Sequence, residues 1–374
     1  MQWQGNILKE RLARAGITQA ALAAAADVSR QTVVDWIKGQ VPKGSHLLVI
    51  CDRLDIDPGV LFVEGPSPVQ VAPRFRKRRN AKETEAVHTA ALALATEYAS
   101  LLEPRDMPVL QWVVRRTDDE AACQLAAQMR GLAGLGDGRS PVDYTHAFRL
   151  MEALGLCVIF RSFPAALKDY AFYTVVNGQR VVFVNAGTNL LDLIFPMLHE
   201  AAHAVLQPDA EGKRSAKEED DFCDKVAGLV QYPDGYVDDV FAAVKGRPAS
   251  VQVLTLKDFA ARNHHVVYGI VRRVEERHGR LGLESRAIHG ADGRLRLQFP
   301  HSLLDALMSD GPGGYVEALR RLSPIWFRVL LHHLDGLTLR KLAEVLGVAS
   351  VLDAKEVREE LERVREGQVH ACPV

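Results

Sequence analysis

The chain has 374 residues, of which 48% are hydrophobic and 25% charged, with a formal net charge of −1. That balance excludes wholesale disorder, the length allows two or three domains, and the near-zero charge excludes a polycation that holds nucleic acid by bulk attraction. No run approaches the ~18 consecutive apolar residues of a transmembrane helix. The first residues lack a secretory pattern, and the five scattered cysteines form no CxxC pair, so a reduced cytoplasm is the expected location, with no membrane partner.

Residues 7–62 read as short amphipathic helices. Ile7, Leu8 and Leu12 share one face, then Ile17, Leu22 and Val28, then Val33, Val34, Trp36 and Ile37. Gly16 stops the first helix, Thr18 and Ser29 are N-caps for the second and third, and Gly39 and Pro42 end the third. A fourth helix is expected over 45–54. Residues 64–73 hold three prolines and one glycine and read as a linker, followed by the basic cluster Arg74, Arg76, Lys77, Arg78 and Arg79. Before that cluster, seven basic residues face seven acidic ones.

Helices are expected over 81–102, 118–134 and 141–154. The period then changes. Residues 156–160, 171–176 and 180–184 are short β-rich runs, and Asn177-Gly178 is a hairpin signal between the last two. Helix returns over 190–206. Beyond residue 234 the pattern is helical apart from an expected hairpin near 286–299. The pairs His264-His265 and His332-His333 occupy adjacent positions, which do not share a helix face, so neither reads as a metal site. Segments 255–273 and 338–350 read as packing helices. The fold class is therefore mostly α with a small β-sheet.

Residues 199–203 are His-Glu-Ala-Ala-His. On a helix, His199 and His203 lie at i and i+4 and can point at one metal ion, with Glu200 beside them as general base. Zinc is the default choice, since it takes two histidines and a carboxylate and keeps a fourth position for water. The competing reading is a helix with two unrelated histidines. It is disfavoured because the motif lies in an apolar helix, where two histidines and a glutamate are expensive to bury alone. A third ligand is sought in the acidic run Glu218-Glu219-Asp220-Asp221, which leads into a helix expected over 222–230. The run reads equally as an acid-rich helix N-terminus, and its residues do not choose among themselves. Asp220 and Asp224 are i and i+4, so one can bind metal while the other orients a histidine.

The order of parts carries a resemblance. Leu12, Gly16, Ile17, Thr18-Gln19, Leu22-Ala23, Val28-Ser29-Arg30, Thr32-Val33, Trp36 and Gly39 resemble an Xre-type helix-turn-helix. Phe195, the motif at 199–203, and the helix through Asp224, Ala227 and Leu229 to Pro233 resemble the ImmA/IrrE metallo-endopeptidases. The resemblance implies an N-terminal DNA-binding domain over 1–63, a Pro-rich and basic linker over 64–80 and a zincin-like peptidase domain over 81–274; it does not extend to the helical C-terminal region over 275–374, whose role is unassigned. In that family the third ligand is a glutamate four residues before an Asn or Asp, a register that lands here on Asp220, an aspartate, with Glu219 as the alternative.

Family members cleave a partner repressor, so the implied function is a DNA-binding zinc endopeptidase acting on a repressor protein. The rival reading is a transcriptional regulator or antitoxin-like binding protein whose zinc domain is structural or sensory. In a helix-turn-helix the second helix enters the major groove of an operator. Ser29, Arg30, Gln31 and Thr32 would face double-stranded DNA, and by resemblance Gln19 would touch phosphate. Val28, Val33 and Trp36 read as core. Such proteins often bind two half-sites, which suits a homodimer, and a dimerisation module is the rival reading of this domain.

Overall fold

The computed structural model describes residues 2–3, 5–56, 58–63, 69–71, 81–103, 114, 116–206, 215–348 and 350–370. The chain divides into two compact units, Met1–Ser67 and Pro68–Val374.

The first unit holds four helices, α1 (Gly5–Arg14), α2 (Gln19–Ala25), α3 (Arg30–Ile37) and α4 (Gly44–Leu54), and a two-stranded antiparallel ribbon, β1 (Gln2–Trp3) with β2 (Phe62–Val63). The caps fall where the side chains direct. Thr18 Oγ1 accepts from Ala21 N–H at 3.1 Å, and Ser29 Oγ accepts from Thr32 N–H at 3.1 Å. Gly16, with φ +65°, turns the chain out of α1. The core is Leu8, Leu12, Leu22, Val33, Trp36, Ile50 and Leu61, and Val28 packs at its margin. Trp3 Nε1 donates to Trp36 O at 2.8 Å. Gly5 is required at the same point, because a Cβ there would meet Ile37 O at 2.3 Å.

In the second unit β3 (Val69–Val71) begins inside the stretch read as linker. The rest of that stretch, with the basic cluster at 74–79, lies outside the described residues. Next come α5 (Ala81–Glu97), α6 (Asp119–Leu132), α7 (Tyr144–Ala153), β4 (Cys157–Arg161), β5 (Ala171–Val176) and β6 (Gln179–Asn185). The sheet order is β3-β5-β6-β4, with β4 and β6 parallel and the other pairs antiparallel. The Asn177-Gly178 hairpin forms as its sequence requires. Both residues have positive φ, 49° and 76°, which a tight turn between twisted strands needs.

Helices complete the unit: α8 (Ile194–Val205), α9 (Ala216–Gln231), α10 (Asp234–Val244), α11 (Ala249–Asn263), α12 (Val267–His278), α13 (Ser285–Arg296), α14 (Leu303–Leu307), α15 (Gly311–Leu322), α16 (Pro324–His333), α17 (Leu339–Leu346) and α18 (Val351–His370). Among the described residues, none is long and apolar enough to cross a membrane. Two apolar cores result. The larger joins the sheet, α5–α9 and α14–α18, so Trp326, Leu342 and Leu361 share a core with Leu198 and Val226. The smaller gathers α10–α13 with Tyr232. The seam inside this unit thus sets α10–α13 apart, and residues 303–361 return to the core that carries the 199–203 motif.

The expected hairpin near 286–299 is instead helix α13. Asp292-Gly293 would favour a turn, but Asp292 is buried and its carboxylate accepts from Val267 N–H at 2.6 Å and Tyr268 N–H at 3.3 Å. It caps the N-terminus of α12 from a neighbouring helix. That tertiary bond satisfies donors that Val266, the local cap residue, cannot reach, and it outweighs the turn preference.

His265 is fully buried, edge to face against the rings of Tyr232 and Tyr236, and its Nε2–H donates to Val142 O at 2.7 Å. Burial, with His264 adding to it, pushes its imidazolium down to about 4, against the opposing pull of Val142 O and Asp143. The folded state therefore binds fewer protons than the unfolded state between that value and ~6.5, so stability falls as pH drops through this window. The expected loss by pH 4 is at most roughly 3 kcal/mol. Chemical denaturation at a series of pH values should show it, and His265→Asn should flatten the slope while lowering stability at pH 8.

Candidate metal centre and DNA interface

The motif lies on α8, whose first turn accepts Pro196 because a helix leaves its first N–H groups unbonded. Helix α9 packs along α8 in the antiparallel sense, so one turn back on α9 matches one turn forward on α8. His199 meets Asp224, and His203 meets Glu219 and Asp220.

The two ring nitrogens of each histidine have different duties. His199 Nε2 and His203 Nε2 lie 3.0 Å apart, and Asp220 Oδ1 lies 3.4 Å from His203 Nε2. The donor atoms of His199, His203 and Asp220 all fall within 4.8 Å of one another. Tetrahedral zinc with bonds of ~2.05 Å would hold two ligand atoms ~3.3 Å apart, so the spacing of this donor set fits the ion. On the far side, His199 Nδ1 is 2.8 Å from Asp224 Oδ1, and His203 Nδ1 is 3.3 Å from Glu219 Oε1. The His203 contact is a hydrogen bond, and a carboxylate bonded to Nδ1 fixes the tautomer that leaves Nε2 free to bind a cation.

The acidic run does not precede a helix at 222, as its composition suggests; it lies inside α9, which starts at Ala216 because Ser215 and Glu218 form a capping box. Helical geometry then gives the four acids four roles. Glu218 caps the helix, Glu219 contacts His203 Nδ1, Asp220 points at the paired Nε2 atoms, and the exposed Asp221 pairs with Lys217.

Glu200 is buried beside the histidines, and its Oε2 accepts from Tyr173 N–H on β5 at 2.8 Å. Burial pushes its carboxyl up to about 7, against the lowering effect of His199 and Tyr173 N–H and with Asp220 and Asp169 adding to the rise. A carboxyl in that range can take and return a proton at neutral pH. Glu200, Glu219, Asp220 and Asp224 thus surround two imidazoles in a largely buried space, a charge balance that a divalent cation would improve. Tyr173 contributes its backbone here. Tyr232 lies in the smaller core with His265, not in this cluster.

In the first unit, α2, a turn and α3 present the other predicted residues. Arg30 and Gln31 are exposed at the start of α3. Ser29 is occupied by capping, with its Oγ 2.9 Å from Thr32 Oγ1, and Gln31 Nε2 donates to Asp35 Oδ1 at 2.9 Å. Gln19 opens α2 and is half-buried. Arg30 is exposed at the start of α3, and arginine reads guanine edges. The Gln31–Asp35 bond is an i to i+4 contact that the spacing of those residues already contained.

No curated protein and no solved structure matches the chain. Residues 8–61 match the family model of the helix-turn-helix, and no peptidase family model matches the central part. The N-terminal unit is a helix-turn-helix domain, and in that sense the chain is a DNA-binding regulator of transcription.

Proposed function

We propose that the chain is a DNA-tethered zinc endopeptidase that regulates transcription by limited cleavage of a partner repressor. The observation that carries this reading is the convergence of His199, His203 and Asp220 with Glu200 alongside. His199 and His203 would hold zinc through Nε2 and Asp220 through its carboxylate. When bound, zinc acidifies water and polarises a peptide carbonyl. Glu200 would take the proton of the attacking water and return it to the leaving amine. Tyr173 N–H keeps that carboxylate in position, and Asp224 and Glu219 keep the imidazoles in register. The N-terminal domain would bring this activity to an operator-bound repressor.

One observation favours the rival reading, a regulator whose zinc domain is structural or sensory. His199 and Glu200 are each 5% exposed and His203 3%, an enclosure that suits a structural ion, and Asp220 stands where the family has the longer glutamate. Glu200→Gln separates the two. On the peptidase reading the variant keeps its zinc, and the repressor fragment seen with the wild-type protein disappears from cell extracts analysed for new N-termini. Fragments that persist with zinc-loaded Glu200→Gln would sink the mechanism. Intact operator binding without any fragment from either protein would support the rival.

Two further substitutions probe the supporting contacts. Asp224→Ala should weaken zinc affinity by roughly 10–100-fold in chelator competition, because it releases the His199 ring, whereas Asp221→Ala on the exposed side of α9 should change nothing. Arg30→Ala should cost roughly 1–3 kcal/mol of binding to DNA fragments selected from a random pool, measured by mobility shift, with thermal unfolding of the protein unchanged.

A further inference from the structure

The larger unit carries a second group of metal-ligand side chains, away from the α8–α9 pair. Glu103, just beyond α5, and His332 and His333, at the end of α16, place one ligand atom each within 4.8 Å of one another. His332 Nε2 is 3.3 Å from Glu103 Oε1, and the two imidazole rings stand edge to face with centroids 4.8 Å apart. Adjacent residues inside a helix point ~100° apart, which is why the sequence argues against this pair. Here α16 ends. His333, with φ −93° and ψ 1°, leaves the helical region and enters the short 3-10 turn Leu334–Gly336.

Both walls of this cluster are anchored. Asn177 Nδ2, in the β5–β6 hairpin, donates to Ala99 O at 2.8 Å and to Leu102 O at 2.7 Å, and Gln179 Nε2 donates to Glu103 O at 3.0 Å. On the other side, Arg358 of α18 donates to Leu334 O. Trp326 of α16 packs edge to face on Tyr98, with ring centroids 5.5 Å apart, so the helix that bears the histidines is locked to the turn that leads to Glu103. The cluster also faces the C-terminal end of α16, where the helix dipole favours positive charge.

We propose that Glu103, His332 and His333 form a second, solvent-facing site for a late first-row divalent cation such as zinc. Two imidazoles and one carboxylate select zinc, nickel or copper over magnesium and calcium, which prefer all-oxygen sites. The ion would clamp the α5 turn to the end of α16, two segments 229 positions apart in the chain. Water fills the remaining positions, since His332 and Glu103 are open to solvent with side chains 68% and 56% exposed.

The test is zinc content per chain after equilibrium dialysis of the tag-free, full-length protein against micromolar zinc. The proposal expects about two zinc ions on the wild type, about one on His332→Ala/His333→Ala, and about one on His203→Ala, with His203→Asn used if the alanine variant does not fold. In the His203 variant, added zinc should raise the melting temperature by a few degrees, and Glu103→Ala should abolish that rise. Equal zinc content in the wild type and the His332→Ala/His333→Ala variant would overturn the proposal. So would a zinc-dependent stabilisation that survives Glu103→Ala. The proposal does not rest on the peptidase reading. If the His203 variant matches the wild type while the double histidine variant loses its zinc, the α8–α9 site fails and this one stands.

Discussion

The antiparallel contact between α8 and α9 is the constraint on which the buried polar cluster of the larger unit depends. Two imidazoles and a glutamate in an apolar helix are unfavourable to bury alone. They become tolerable because α9 brings a carboxylate to each far-side ring nitrogen and a third to the shared face. Both helices advance ~5.4 Å per turn, so matching one turn on each is enough to place all three contacts at once. The start of α9 at Ala216, set by the Ser215–Glu218 capping box, fixes the register.

That register brings two acids of different length onto His203. Glu219, the longer acid, reaches His203 from the far side, and Asp220, the shorter one, meets the paired Nε2 atoms at 3.4 Å. Reach is therefore supplied by the helix position and not by the side chain. Burial pushes the Glu200 carboxyl up, with Asp220 and Asp169 adding to the rise, and the carboxylates gathered around the imidazoles make the pocket attractive to a cation.

Beyond the site, the fold is organised by buried polar groups that act across long sequence separations. Asp292 caps α12 from α13, Tyr98 O–H donates to Val345 O, and Tyr315 O–H donates to Leu346 O. Each bond ties a local element to a distant one, and each would leave an unsatisfied group in the core if its partner moved. The last helices are in this way drawn back onto the sheet beside α8, while α10–α13 close around their own core.

The sequence by itself determined whatever is decided within a few residues. Thr18 and Ser29 cap their helices, Asn177-Gly178 turns the hairpin, the β-rich runs become strands, and the 199–203 spacing puts two histidines on one face. These depend on local dihedrals and on helix or strand periods, which a string of residues displays. Tertiary structure alone decided which of four neighbouring acids faces the histidines, that Val69–Val71 joins the sheet, that Asp292-Gly293 lies in a helix, and that Glu103 meets His332 and His333. Each of these turns on a partner far away in the chain. Local propensities of a fraction of a kcal/mol yield to a buried hydrogen bond or a shared core, and neither is visible until the chain has folded.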